Sequence, residues 1–310
     1  MDLLNYTSIA SLVQIATERG EKISDIVLRD QAAQMSTDHH IIFDKMALNY
    51  QIMKESIEKG NDPHIRSTSG LTGGDAAKLY NVYKADKTLT GTFMAGAMWR
   101  ALAVSELNAA MGRIVASPTA GSCGILPAAV ATMQVEHNLS DEACVMALFT
   151  ASAVGMVIGN NACLAGAAGG CQAECGSASA MAAAAIVELS GGTPEMIGEA
   201  VAIVIKNILG LVCDPVAGLV EIPCIKRNAS GVTTAFMAAE LALAGIKSHI
   251  PADETILSMK QVGDVLPAAL RETADGGLAT TPTGQALRKQ VFGDENATSG
   301  CPRCGGGCNS

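Results

Sequence analysis

Residues 169–185, GGCQAECGSASAMAAAA, and residues 213–231, CDPVAGLVEIPCIKRNASG, decide how the chain is read. The first run places Gly170 before Cys171 and continues as an Ala- and Ser-rich helix to Leu189. The second places Asp214-Pro215 after Cys213 and Pro223 before Cys224, and it carries the compact triplet Lys226-Arg227-Asn228. Four of the ten cysteines lie between positions 171 and 224. Glycine frees the backbone and proline bends it. Thiols beside such residues are presented as soft ligands to a metal in a partly open site.

Outward from this core, Ala143–Ala173 is thirty-one residues without a charge. That is longer than a bilayer requires. The run nevertheless contains Asn160-Asn161, ends in AGAAGGC and has no flanking aromatic belt. It reads as a buried helix at the centre of a soluble domain, so a membrane is not an expected partner. Composition agrees. Of 310 residues, 49% are hydrophobic and 16% charged, with aromatics at only 3%. Mean hydropathy is +0.28. Such a core is built from Ala, Gly and Met, which favours helices packed closely on one another.

Helical punctuation recurs along the chain. Ser8–Arg19 has apolar residues at helical spacing and stops at Gly20. Ser24 is a cap for a second helix through Met35, and Ser36-Thr37-Asp38 for a third ending at Gly60. The loop NDPHIRSTSGLTGGD (61–75) precedes helices at Asp75–Ala85 and Gly91–Ala116. Another helix opens near Gly124, and Ser140-Asp141 caps the uncharged one. Thr193-Pro194-Glu195 begins a helix reaching about Leu211. Pro223-Cys224 opens one to about Ile246, and Asp253 caps one to about Gly263. Alternating strand patterns are nearly absent. The expected fold is all-α: a large multi-helix domain of about a dozen helices with a buried Ala/Gly-rich central layer. It is expected to span 1–284, with 285–310 as a flexible Gly- and Cys-containing tail.

A net charge of −9 without a basic run excludes nucleic acid as an expected partner. The N-terminal MDLLNYTSIASLVQIATERGEK has no basic segment leading into an apolar one, so a cytoplasmic protein is expected. In that reducing compartment clustered cysteines point to metal or redox chemistry rather than disulfides. Cys144, mid-helix among apolar residues, reads as a small buried hydrophobe. Cys301, Cys304 and Cys308 supply three thiols where a structural zinc site needs four. Spacing alone does not separate Cys171, Cys213 and Cys224 from Cys163 and Cys175. Three thiolates on a four-iron cluster leave one iron open, as Lewis-acid catalysis requires. The segment SPTAGSCGILP (117–127) is either an anion-binding helix start or an ordinary capped turn.

Five segments closely resemble the alpha chain of bacterial iron–sulfur-dependent L-serine dehydratases: SGLTGGDAAKLY (69–80), SPTAGSCGILPA (117–128), NNACLAGAAGGCQAECGSASAMAAAA (160–185), KNILGLVCDPVAGLVEIPCIKRNASG (206–231) and LPAALRETADGGLATTPTG (266–284). The resemblance implies a [4Fe–4S] cluster on Cys171, Cys213 and Cys224, whose separations of 42 and 11 positions match the family's. It implies conversion of L-serine to pyruvate and ammonia, without pyridoxal phosphate. The open iron would bind the β-hydroxyl, a general base would take the Cα proton, and aminoacrylate would tautomerise and lose ammonia.

The same resemblance gives Ser117, Thr119, Gly121 and Ser122 to the substrate carboxylate. Asn160, Asn161, Arg227 and Asn228 would orient substrate or cluster. The general base is not identified; His64 and Lys226 are its candidates. The family's β part has no counterpart in these residues, so a separate β subunit is the expected partner, and it is a second source for the base. Some relatives place a C-terminal cysteine in the active site, a role in which Cys308 is followed here by Asn309 and Ser310. Two alternatives stay open: a related cluster-dependent L-cysteine desulfidase and a non-catalytic metal-binding helical subunit.

Overall fold

A computed structural model describes residues 4–293. Among these, thirteen α-helices and no strand are formed. Four outer helices come first: α1 (Ile9–Arg19), α2 (Ile23–Gln34), α3 (His39–Gly60) and α4 (Asp75–Lys84). The core follows with α5 (Gly91–Ala109), α6 (Ile125–His137), α7 (Asp141–Asn161), the single turn α8 (Gly166–Gly169) and α9 (Ser177–Leu189). The chain closes with α10 (Pro194–Ile208), α11 (Cys224–Leu243), α12 (Ala252–Val265) and α13 (Pro282–Phe292).

Helix α9 is the axis of the molecule. Every residue from Ser177 to Glu188 is buried, and α6, α7, α10 and α11 pack around it. A helix buried on all sides has no polar face to present, and its sequence is accordingly rich in alanine with Glu188 its single charge. Small side chains let helix axes approach closely. Helices α3 and α5 meet this closely: a Cβ on Gly60 would lie 1.9 Å from the Ala103 carbonyl oxygen. Helix α7 is the one described helix long and apolar enough to cross a membrane, and most of it is buried in this core. Cys144 is fully buried within it, as its apolar neighbours predict.

Several helix boundaries follow the sequence signals closely. Ser8, Ser140 and Thr193 each accept a backbone N–H of the first turn that follows. Others move for tertiary reasons. The second helix starts at Ile23, and Ser24 is buried on it, its amide donating to Glu188 at 3.4 Å. The helix from Gly91 ends at Ala109, not Ala116. Met111 takes a left-handed φ of 62°, and Gly112 donates its N–H to the Leu107 carbonyl at 2.8 Å. Asp253 lies inside the first turn of α12 and caps a different helix: its carboxylate accepts from Ile9 N at 2.7 Å and Ala10 N at 3.0 Å. The first turn of the helix expected from Cys171 is a wider π turn, Gln172–Gly176, running into α9. Helix α13 crosses position 284, the sequence-based limit of the folded body, and packs against the turn Val216–Gly218. Cys301, Cys304 and Cys308 lie outside the described residues.

Candidate functional site

Three separate pieces of backbone bring thiols to one end of α9. Cys171 follows Gly170, whose φ of 75° puts the chain in the left-handed region. A side chain there would meet Leu266 at 2.8 Å and the Leu211 carbonyl at 3.0 Å, so the close approach needs glycine. Gln172, fully buried, fixes the π turn from below: its side chain accepts from Gly210 N and donates to the Met259 carbonyl, both at 2.9 Å. Cys213 is held by a single parallel bridge to Arg271. Its N–H donates to the Leu270 carbonyl at 2.9 Å, and its carbonyl accepts from Glu272 N at 2.8 Å. Cys224 is the first residue of α11.

All three thiols are buried and free. They feel one another: after burial, the neighbouring Cys171 is the largest influence raising both Cys213 and Cys224, the latter to about 12. Cys171 is lowered, first by its contact with Cys175 and then, against burial, by the Arg227 guanidinium. Of the two other thiols that spacing left open, Cys175 is buried with its sulfur 3.4 Å from that of Cys171. Cys163 is half-buried and accepts a bond from Ala165 N.

The triplet at 226–228 splits three ways, as successive positions on a helix must. Lys226 is exposed, its ammonium 2.9 Å from Asp75, which also pairs with Lys78. Arg227 is turned inward. It donates to Asp214 and to the Val212 carbonyl, each at 2.8 Å. Burial works against its charge, but Cys171 and Asp214 outweigh it and raise its pKa. Asn228 is fully buried. Its oxygen accepts from Gly124 N at 2.8 Å, while its amide donates to the carbonyls of Gly121 at 2.8 Å and Cys224 at 2.9 Å. It thus ties the 117–124 loop to the start of α11.

That loop faces a group the sequence reading passed over. Thr119 donates to Glu174 Oε1 at 2.8 Å, and the hydroxyls of Thr119 and Ser122 are 3.1 Å apart. A Cβ on Gly121 would sit 3.1 Å from the same carboxylate, and one on Gly166 would sit 2.8 Å from Glu174 Oε2 and 3.0 Å from Cys213 Sγ. Burial, with Glu272 adding repulsion and Thr119 opposing, holds the Glu174 carboxyl above its ordinary value. The Ser117 hydroxyl is buried without a partner. One sequence signal was available: Glu174 is the only charged residue between Glu142 and Glu188.

The remaining candidates stand elsewhere. Asn160 donates to the Tyr6 carbonyl at 3.1 Å, and Asn161 to those of Thr7 and Val157 at 2.9 and 2.8 Å, so both hold the N-terminal segment to α7. His64 is exposed, with its backbone N–H on Asp62. None of the described hydrogen bonds or ion pairs joins a histidine to the residues around the thiols.

Comparison with known proteins resolves the family. A family model described as "Serine dehydratase alpha chain" matches residues 18–279. The chain belongs to the serine dehydratase alpha-chain family. The "Probable L-serine dehydratase, alpha chain" of Bacillus subtilis (strain 168) is 49% identical over 288 residues, covering 93% of this chain and 96% of the relative. The "L-serine dehydratase, alpha chain" of Peptoniphilus asaccharolyticus is 45% identical, covering 91% and 96%. "L-serine dehydratase 2" of Escherichia coli (strain K12) is 37% identical over 88% of this chain, but only 61% of that relative's length is matched. Alpha chains of the family thus occur at this chain's length and also within longer polypeptides. The match takes in all three thiols, the 117–124 loop and Glu174.

Proposed function

We propose that this chain is the cluster-bearing alpha subunit of a cytoplasmic L-serine dehydratase, acting with a separate β subunit to convert L-serine to pyruvate and ammonia. The observation that carries the reading is the convergence of Cys171, Cys213 and Cys224, all buried, with the charge of Cys171 felt by both of the others. The residues fit a [4Fe–4S] group through three thiolates. When bound, such a cluster supplies a Lewis-acidic iron at which a hydroxyl becomes a better leaving group.

The chain's own residues supply the surroundings. Arg227, anchored by Asp214, places positive charge beside Cys171 and so favours its thiolate form. Glycine at 121 and at 166 lets the Glu174 carboxylate and the Cys213 thiol lie directly against the backbone of both segments. Ser117, with an unpaired buried hydroxyl, lines the same loop and is the substrate contact we favour, while Thr119 holds Glu174. Asn228 holds that loop in register with Cys224. Lys226 is engaged by Asp75 and His64 faces solvent, so we assign the general base to the β subunit.

The test is anaerobic reconstitution of the purified chain with iron and sulfide, followed by assembly with the β chain from the same source. Four iron atoms per chain, and pyruvate released from L-serine, are expected. Full activity in a preparation free of iron overturns the reading.

A further inference from the structure

The 117–122 loop carries hydroxyls at a helix start, a pattern suited to an anion. In the folded chain that capacity is already spent. Thr119 donates to Glu174, Gly124 N donates to Asn228, and Ile125 N donates to the Ser122 carbonyl. The group at the mouth of the loop is a carboxylate, which repels a second carboxylate and attracts a cation.

Glu174 has no cation of its own among the described residues. Arg227 is turned to Asp214 and Val212, and Lys226 to Asp75. Oε1 takes one hydrogen bond, from Thr119, and Oε2 takes none. Oε2 is the oxygen that faces Gly166, on the side of Cys213. A half-buried carboxylate with a free acceptor and no counter-charge is costly to keep, unless a ligand completes it. The carboxylate packs against the backbone at Gly121 and Gly166 yet remains only half-buried, and the unpaired Ser117 hydroxyl belongs to the loop of Gly121.

We propose that Glu174 is the ammonium-recognition residue of the site: its Oε2 accepts a charge-assisted hydrogen bond from the α-ammonium of the amino-acid substrate, at the thiol beside Gly166. The inference rests on the functional reading above and assigns to the loop the opposite pole of the substrate from the one its hydroxyls suggest. It accounts for Glu174 being the lone charge of an otherwise neutral central stretch.

The test uses binding, which needs no turnover. On the anaerobically loaded assembly with its β chain, titration calorimetry compares L-alanine with L-lactate. Both carry a carboxylate and a methyl group; only the first carries an ammonium. In Glu174→Gln the affinity for L-alanine is expected to fall about tenfold or more, as for loss of a charge-assisted bond, while that for L-lactate changes less than about twofold. The KM for L-serine should rise more than kcat falls, and Glu174→Asp should recover part of the L-alanine affinity. Iron content should match the parent. Equal weakening of both ligands, no weakening of either, or loss of iron from Glu174→Gln overturns the proposal. A parent assembly that discriminates the two ligands but makes no pyruvate from L-serine would instead overturn the functional reading alone.

Discussion

Arg227 and Asp214 form a buried ion pair, Nη2 to Oδ1 at 2.8 Å, with side chains only 16% and 5% exposed. The second Asp214 oxygen accepts from Leu278 N at 2.9 Å. One carboxylate therefore joins the start of α11, the strand-like segment at Cys213 and the C-terminal segment. Removing one partner leaves a charge buried without compensation, which costs about 3–5 kcal/mol. Arg227→Leu is expected to lose that much in urea unfolding. Asp214→Asn combined with Arg227→Leu should lose less than the two single changes together, because the pair fails as a unit. Strict additivity would rule out the coupling.

The thiols separate cleanly by role. Cys171→Ser, Cys213→Ser and Cys224→Ser are each expected to abolish the broad visible absorbance of the reconstituted protein and its turnover. Cys144→Ser, deep in α7, is expected to keep both and to alter stability only. Iron retained at parental levels in any one of the first three would remove that residue from the ligand set.

Asn228 spends its whole side chain on three backbone groups. Asn228→Ala leaves Gly124 N–H and the Gly121 carbonyl buried without partners, at about 1–3 kcal/mol for each group. The expected result is a lower urea midpoint together with faster hydrogen exchange at Gly124 and Ile125. Unchanged exchange in that turn would show that water replaces the amide without loss.

Glu188 gives the stability a pH slope. It is buried at the end of α9 beside Thr150 and Ser24, and burial holds its carboxyl above the ordinary 4.5 against those hydrogen bonds and Lys22. An acid raised on folding binds more protons folded than unfolded in the window between the two values. Its contribution is complete below the unfolded value and is lost as pH rises through the folded one. Glu106 and Glu174 act in the same direction. Glu188→Gln is therefore expected to flatten, without abolishing, the fall in unfolding free energy as pH rises above the ordinary carboxyl value of 4.5. A slope equal to the parent's would assign the dependence to other groups.

The elements that could be read in advance were those whose signals are local. Thr193-Pro194 states where α10 begins because the cap and the fixed proline φ act within one turn. The alanine run states that α9 is central because only a helix buried all round has no polar stripe. What the sequence did not disclose depends on partners far along the chain. Ser24 looks like a cap and is a buried neighbour of Glu188, 164 positions away. Asp253 looks like the cap of α12 and caps α1 instead, because its carboxylate reaches the first two N–H groups of that helix. In the site, the three thiols were legible through family resemblance rather than spacing. Asn160 and Asn161, adjacent to the cysteine motif in sequence, spend their amides on the N-terminal segment. Glu174 was overlooked because a single acid in a helix carries no pattern; its meaning arises only when Thr119, Gly121 and Gly166 surround it.

The packing of α13 on the Val216–Gly218 turn bears on how the protein can be trimmed. That turn begins two residues after Asp214, and the bridge at Cys213 draws on Leu270 and Glu272. A recombinant version ended at Gly284 would stop three residues into α13 and strip the outer brace from the backbone that presents Cys213. The shortest version that leaves this brace whole ends at Gly293.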